Sequence, residues 1–583
     1  MREKIIILGA GVMQGPAIRI AKELGFFTVA VDGDSSAPNV ALADQFEQID
    51  LKDKEGIEAF ARSLQNNGNC RSSGTVSGIM TAGTDFSATV AWVAEKLGLP
   101  GIPYESALNA SDKTRMRSCF KKACLPSPEF VTITAKNLEI PDKFEFLPRR
   151  NTEFDTELHG EKKTENNNSA ILRAPSVTSV VNIPPFPLVI KPVDNMGGRG
   201  CRRVNSIEEF REAAEDALRF SRSGRAIAEA YMEGPEFSVD AIVYHGEITI
   251  CGLADRHIFF PPYFIEMGHT MPTCFPPEQQ KALLETFCEG VHALGLAGPE
   301  SIGAAKGDIK LTPQGPQLTG QPMIGEIAAR LSGGYMSGWT YPYSSGVEPI
   351  RAAVLAATGR KPDGLIPLRN WTCAERAFIS IPGTVRAITG TEAARNIPHV
   401  RDLFLRAKEG GKVSFPVNNV SKCGNIISAA PDRTAAVEAA ENAARAVLIR
   451  LDPSDNETET FLSSPQGIFP PDAFRLSAEL RASLEKLPET AISTTQKDGI
   501  FLVSFPEFTG AGLTDYVGRT VGESLRVIRE LTSLSLQEIT QKSAGFSDNK
   551  YSFLGRSFWA ALVRGGYQGA VYYIDKMRIK NEK

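Results

Sequence analysis

Hydrophobic and polar positions at the start of the chain alternate between two periods. An unbroken apolar run, Ile5-Ile6-Ile7-Leu8, reads as a buried strand, and Gly9-Ala10-Gly11-Val12-Met13-Gln14-Gly15 breaks it. Pro16 suits a first helical turn, Ile18 to Leu24 keep helical spacing, and Phe27 to Val31 form a second apolar run that ends at Asp32. A strand, a glycine turn, a helix and a strand in that order predict the first βαβ unit of a parallel sheet. Val76 to Met80 reads as a further buried strand, and Thr81-Ala82-Gly83-Thr84-Asp85 turns into a helix carrying Val90, Trp92, Val93 and Leu97. Residues 1–105 are therefore expected to form one α/β domain.

Periodicity then fades. Between 142 and 182 the chain holds Arg149-Arg150-Asn151, Glu161-Lys162-Lys163 and Asn166-Asn167-Asn168, the composition of a surface insertion. Strand and helix signals return at Pro187-Leu188-Val189-Ile190-Lys191 and run to Asp452. The polar stretch Asp452-Pro453-Ser454-Asp455-Asn456-Glu457-Thr458-Glu459 predicts a linker, which makes 453–583 a separate, helical module. Within it, Leu534 to Tyr551 superficially resembles a helix-turn-helix, with Ser535 and Glu538 spaced as a capping box. Residues 451–583 hold 15 Lys plus Arg against 17 Asp plus Glu, so no basic face is available for phosphate backbones. Oligomerisation, or a lid, is the plainer reading of this module.

Composition narrows the class. The chain has 583 residues, 42% hydrophobic and 23% charged, which suits several globular domains and excludes collagen-like, coiled-coil and low-complexity chains. A net charge of −4 supplies no global field for nucleic acid or an acidic membrane. Nine cysteines with no C-x-x-C pair indicate neither a zinc ribbon nor a disulfide framework and suit a reducing compartment. The first apolar run is too short for a signal peptide, and no stretch reaches the roughly 20 apolar residues of a bilayer span. A cytoplasmic protein that works without a membrane is the expectation.

Three segments carry chemistry. Gly9, Gly11 and Gly15 with Asp32 approach a dinucleotide fingerprint, but Gln14 stands where the third glycine belongs, and a structural turn is the better reading. Lys191 at a strand end, followed by Asn195-Met196-Gly197-Gly198-Arg199-Gly200, offers a point charge and a run of backbone N–H groups, the two things a triphosphate needs. Downstream, Glu229 and Glu236 flank a turn through Tyr231-Met232-Glu233-Gly234-Pro235 and could face an adenine amino group and a ribose. Asp308, in Lys306-Gly307-Asp308-Ile309-Lys310, and Glu326, in Gly325-Glu326-Ile327-Ala328, would supply magnesium with its one or two carboxylates if their strands are antiparallel neighbours.

Taken in order, these segments resemble the ATP-grasp superfamily, in particular carboxylate-amine (L-amino acid type) ligases and relatives of carbamoyl-phosphate synthase and biotin carboxylase. Asp32-Gly33-Asp34-Ser35-Ser36-Ala37-Pro38 looks like the second-strand signature of the domain that precedes the nucleotide fold. Leu97-Gly98-Leu99-Pro100-Gly101, Ser111-Asp112-Lys113 and Leu125-Pro126-Ser127-Pro128 look like the junction, and Ala374-Glu375-Arg376 to Pro382-Gly383-Thr384-Val385 like the domain that follows. The resemblance implies an α/β and α+β multidomain chain. Its parts would be a Rossmann-like parallel sheet (1–105), a two-lobed ATP-grasp fold (106–350), a small β-rich domain (351–452) and the accessory module.

It also implies roles. Lys113 and Lys191 would contact phosphates under the loop Gly197, Gly198, Arg199 and Gly200, Glu229 and the backbone at Met232 would hold adenine, and Glu236 the ribose. Asp308 and Glu326 would bind Mg2+, with Mn2+ as an alternative, and Arg330 would stabilise charge on the transferring group. Glu266 and His269, three apart in Phe264-Ile265-Glu266-Met267-Gly268-His269, would grip a small-molecule substrate, with Arg256 a weaker anion candidate. Gly333-Gly334-Tyr335 and Trp339 would line an acceptor pocket. Many members carry Asn two residues after the last metal-binding Glu, and here Ala328 stands there. The implied activity is ATP-dependent activation of a carboxylate as an acyl phosphate, with release of ADP and capture by an amine. The alternatives are a bicarbonate-activating enzyme and an ATP-binding regulator without turnover.

Overall fold

In the N-terminal sheet of the computed structural model, strand Lys4–Leu8 lies between Phe27–Asp32 and Val76–Met80, parallel to both, with Gln45–Gln48 outermost. The structure describes residues 2–66, 74–138, 144–146, 181–314, 317–465, 467–491, 500–539 and 552–582. All five residues of Lys4–Leu8 are buried, as an apolar run flanked by helices on both faces requires. The turn that follows is closed by its own sequence. Gly9 has φ +98°, a Cβ there would lie 2.9 Å from the Gln14 side chain, and buried Gln14 donates to the Ala82 carbonyl. Asp32 accepts from the Ala10 and Asp34 amides, so its carboxylate braces the loop.

A second sheet has the order Phe130–Thr134, Arg225–Ala230, Leu188–Pro192, Arg202–Val204, each pair antiparallel. Helix Ile207–Phe220 covers one face with Phe210, Ala213, Ala214 and Ala217, the spacing of an amphipathic stripe. Residues 147–180 of the expected insertion lie outside the described residues.

The largest sheet has eight strands, all antiparallel: Gln317–Ala328, Ile302–Gln314, Glu236–Tyr244, Glu247–Phe259, Ile265–Met271, Thr372–Phe378, Gly424–Ala430 and Val400–Leu405. It runs unbroken across the boundary expected at 350/351, because Gly268 to Met271 pair with Arg376 to Cys373.

Beyond it, the C-terminal region contains a three-stranded parallel sheet, Gln537–Ile539, Phe501–Val503 and Phe553–Leu554, packed with helices Val521–Thr532 and Arg556–Glu582. Two expectations are corrected there. Residues 537–539 form a strand, so Ser535 and Glu538 cap no helix, and the capping box present is Thr520 with Glu523; residues 540–551 lie outside the described residues. The polar stretch after Asp452 is not a free linker. Asp455 is buried, caps helix Asn456–Ser463, and bonds to Thr384 (2.5 Å) and Lys412 (2.9 Å). The Arg450–Asp575 pair at 2.6 Å and Tyr567, donating to the Ile449 carbonyl at 3.3 Å, bind the helix that follows the kink at Gly566 to the preceding domain. Among the described residues no helix is long and apolar enough to cross a membrane.

Candidate active site: a charged cavity between two sheets

A cavity of about 420 Å3 lies between the sheet that contains Leu188–Pro192 and the eight-stranded sheet. Its floor follows from strand periodicity. Glu236, Ser238 and Asp240 alternate along one strand, so they share a face, and the register sets Lys310, Asp308 and Lys306 opposite them in turn. On the next strand, Glu326 stands opposite Asp308 and Ala328 opposite Lys306. The result is a lattice of acids and bases in which nearly every charge has a neighbour of opposite sign.

Arg256 is its hub. Paired in register with Glu236, its guanidinium reaches Glu236, Glu266 at 3.0 Å and Asp308 at 2.9 Å. Lys306 caps Asp308, and Lys310 lies 3.6 Å from Glu236 while donating to the Met232 carbonyl at 3.1 Å. Burial alone would raise the Glu266 carboxyl, but Arg256 and Lys422 outweigh it and hold the group well below the usual carboxylate range.

The opposite wall carries Lys191, Gly197, Gly198 and Arg199. Gly197, Gly198 and Gly200 all have φ between +66° and +76°, a backbone that only glycine adopts without strain. Lys191 pairs with Glu229 at 2.7 Å, and the second oxygen of Glu229 accepts from Arg117, also at 2.7 Å. Both Glu229 oxygens are thus engaged by cations. Glu229, expected to face adenine, lines the cavity with its carboxylate paired to Lys191. Arg117 is fully buried and donates further to the carbonyls of Ile324 and Gly325, which ties this wall to the strand bearing Glu326.

Lys113 does not line the cavity. It lies behind it, its ammonium 3.3 Å from Glu326 and bonded to the Asn195 carbonyl at 3.0 Å, and Asp112 caps its helix. Burial disfavours ionised Glu326, yet the charges of Lys113, Lys306 and Lys191 bring its pKa down to about 2.

Arg330, only 7% exposed, lines the cavity with its Nε unpartnered, while Nη1 donates to the Leu331 carbonyl. The loop it begins is anchored from below. Asp240 accepts from the Ser332 amide at 2.9 Å and from its hydroxyl, and Gly83 of the N-terminal domain donates to Leu331 at 3.3 Å. Burial raises Asp240 to about 6 against these bonds.

Glu266 lines the cavity and His269 does not. A bulge between the Ile258↔Glu266 and His257↔Gly268 pairs keeps Glu266 and His269 on one face despite their odd spacing. His269 is nevertheless wholly buried, its Nε2 2.7 Å from the Thr340 hydroxyl and its Nδ1 3.3 Å from Glu375. The substrate contact expected of His269 is corrected accordingly: the ring braces the wall. At this end Tyr335 lines the cavity, stacks on Phe404 at 4.2 Å, and accepts from Arg406 at 3.2 Å, whereas Trp339 meets the same aromatic pair from behind.

Sequence reasoning missed Arg117, Lys306, Lys310, Asp240, Arg406 and Lys422. Lys306 and Lys310 had a signal, since both lie two residues from Asp308 and so share its face. Arg117 had a weaker one, four residues from Lys113 on a helix.

The donor set fits magnesium. Asp308 and Glu326 offer hard oxygens from paired positions, leaving the remaining coordination to phosphate and water. Among the described residues no group of three His, Cys, Asp or Glu gathers at one point.

The model of the ATP-grasp domain matches residues 184–299. The chain contains an ATP-grasp domain. That match spans Lys191, the glycine loop, Glu229, Met232, Glu236, Arg256 and Glu266. Residues 377–452, which supply Arg406 and Lys422, match the L-amino acid ligase C-terminal domain 2. An uncharacterised protein of Sinorhizobium fredii is 21% identical over 443 residues, 75% of this chain and 80% of that protein. Carnosine synthase 1 of Gallus gallus is 25% identical over 262 residues, 41% of this chain and 27% of the relative, so the chain spans about a quarter of it. Among solved structures, L-amino acid ligase from Bacillus licheniformis superposes with a TM-score of 0.59 at 19% identity, covering 77% of this chain and 99% of the ligase, a likeness of fold.

Proposed function

We propose that the protein is an ATP-grasp carboxylate-amine ligase, forming an acyl phosphate and ADP and then an amide. The observation that carries this reading is the convergence on one cavity of Lys191 with the glycine loop, the paired carboxylates Asp308 and Glu326, and buried Arg330. Lys191 and the amides of Gly197 and Gly198 would hold the polyphosphate, with Glu229 and Arg117 fixing the lysine. Lys310 and the Met232 backbone would sit toward the base, and Glu236 toward the ribose. Asp308 and Glu326 would hold Mg2+, which when bound offsets phosphate charge.

In the first step a substrate carboxylate oxygen forms a bond to the γ-phosphorus as the bond to the β-γ bridging oxygen breaks, so ADP leaves with that electron pair. Arg330 would offset the developing charge, since such transfer depends chiefly on positioning and charge neutralisation. In the second step an amine attacks the acyl carbon and inorganic phosphate leaves with the electron pair of the C–O bond, taking up the proton that the nitrogen sheds. Glu266, held ionised by Arg256, would orient a substrate amino group, and Tyr335 and Arg406 border the remaining space.

The test is ADP release over a panel of carboxylates, amino acids and bicarbonate, with and without amines, with hydroxylamine as a trap. The expected result is acid-dependent ADP with hydroxamate from the matching acid. AMP and pyrophosphate would refute the mechanism. ADP release with bicarbonate alone would select the bicarbonate-activating alternative, and nucleotide binding without any release a regulator.

A further inference from the structure

The floor of the cavity bears on how much metal the site takes, a question that rests on the reading of this cavity as an ATP site. Phosphoryl-transfer sites neutralise the polyphosphate with one or two magnesium ions together with protein cations. A second ion needs its own anionic ligands, and the floor leaves few. Glu326 is capped by Lys113 at 3.3 Å. Asp308 is capped twice, by the Lys306 ammonium and by Arg256 at 2.9 Å, with the Ser238 hydroxyl 3.3 Å from the same carboxylate. The next position on the strand that bears Glu326 is Ala328, a methyl group, and its cross-strand partner is Lys306. The cavity-face position beside Glu326 therefore offers no oxygen, and the residue opposite it is itself a cation. Among the described residues no third acid joins the pair.

We propose that Lys306 stands in for a second divalent cation: the site takes one magnesium ion per nucleotide, and the Lys306 ammonium supplies the additional positive charge against the polyphosphate. The arrangement is self-consistent in charge. Lys306 and a metal would repel each other if both approached Asp308, so with the ion held by Asp308 and Glu326 the ammonium would turn to the phosphate oxygens. Without Ala328 the arrangement would not persist, because an amide or carboxylate there would draw a second ion over the ammonium.

The experiment counts bound Mn2+ by electron paramagnetic resonance in equilibrium dialysis of the full chain with saturating AMPPNP, while nucleotide occupancy is measured separately. The wild-type protein is expected to hold one Mn2+ per bound AMPPNP, and Lys306→Ala combined with Ala328→Asn to hold two. Lys306→Ala alone should weaken AMPPNP binding at least tenfold, with Lys306→Arg restoring most of it. Two Mn2+ per nucleotide in the wild-type protein would overturn the proposal, as would a folded double variant that still holds one. Should the variants fail to fold, the wild-type count decides by itself. Absence of AMPPNP binding to the wild-type protein would refute the ATP-site reading and this proposal with it, an outcome distinct from a wrong count.

Discussion

Replacing Arg256 by Met tests whether the charge lattice on the cavity floor is held by one hub. The methionine keeps the aliphatic stem and removes the guanidinium that three carboxylates share. Glu236 would retain Lys310 and Asp308 would retain Lys306, whereas Glu266 would keep only Lys422, whose ammonium is committed to the Glu266 main-chain carbonyl at 2.7 Å. Removing one partner of a buried ion pair costs about 3–5 kcal/mol, and since two of the three acids keep a second cation, the lower end, about 3 kcal/mol, is expected here. The side chains involved are at most 18% exposed, so solvent screening discounts this little.

The pH dependence gives an independent check. In the wild-type protein the Glu266 pKa lies below its unfolded value, so its contribution is present at neutral pH and is lost as pH falls below the unfolded value toward the folded one. In the variant, burial is no longer outweighed by Arg256 and the pKa rises above the unfolded value. Protonation then relieves the buried charge as pH falls. Urea unfolding at pH 7.5 and pH 5 should therefore show a large loss that narrows at the lower pH. A loss below about 1 kcal/mol at neutral pH, the range of an exposed pair, or a gap identical at both values, would refute the reasoning.

Two further outcomes follow from contacts on the opposite wall and under the Arg330 loop. Lys191→Ala should weaken ATP binding by about 1.5–3 kcal/mol, the range of a hydrogen bond to a charged group, as read by calorimetric titration; unchanged affinity would place the phosphates elsewhere. Asp240, raised to about 6 by burial, stabilises the fold most below its unfolded pKa, and that contribution is lost as pH rises through the folded one. Asp240→Asn should thus flatten the stability profile between pH 4 and 6.5, and a profile superimposable on the wild type would sink the assignment.

Residues whose placement depends on period were legible in the sequence. Asp308 and Glu326 could be placed on neighbouring antiparallel strands because both lie in runs with strand alternation, and Lys191 with its glycines because strand end and turn chemistry are local. What could not be read depends on long-range partners. Glu229 reads as a free acid until Arg117, 112 residues away, is folded against it. His269 and Glu266 look alike at three-residue spacing, and only packing against Thr340 and Glu375 buries one while the other stays on the cavity. The strand at 537–539 shows the converse, where a local capping signal at Ser535 and Glu538 yields to pairing with Phe501–Val503.

The eight-stranded sheet sets the smallest fragment worth expressing. Ending the chain near residue 350 would strip Ile265–Met271 of its neighbour Thr372–Phe378 and leave a bare row of N–H and C=O groups in the middle of what had been a continuous surface. Such an open edge is a template for pairing with other chains, so the truncated protein is expected to aggregate even though all of the ATP-grasp match lies within it. The same cut would remove Glu375 from beside His269 and Lys422 from behind Glu266. Nucleotide lobe and ligase-type domain are in this sense one cooperative unit, and a soluble fragment has to extend at least through Gly424–Ala430, which closes the sheet with Val400–Leu405 on its far side.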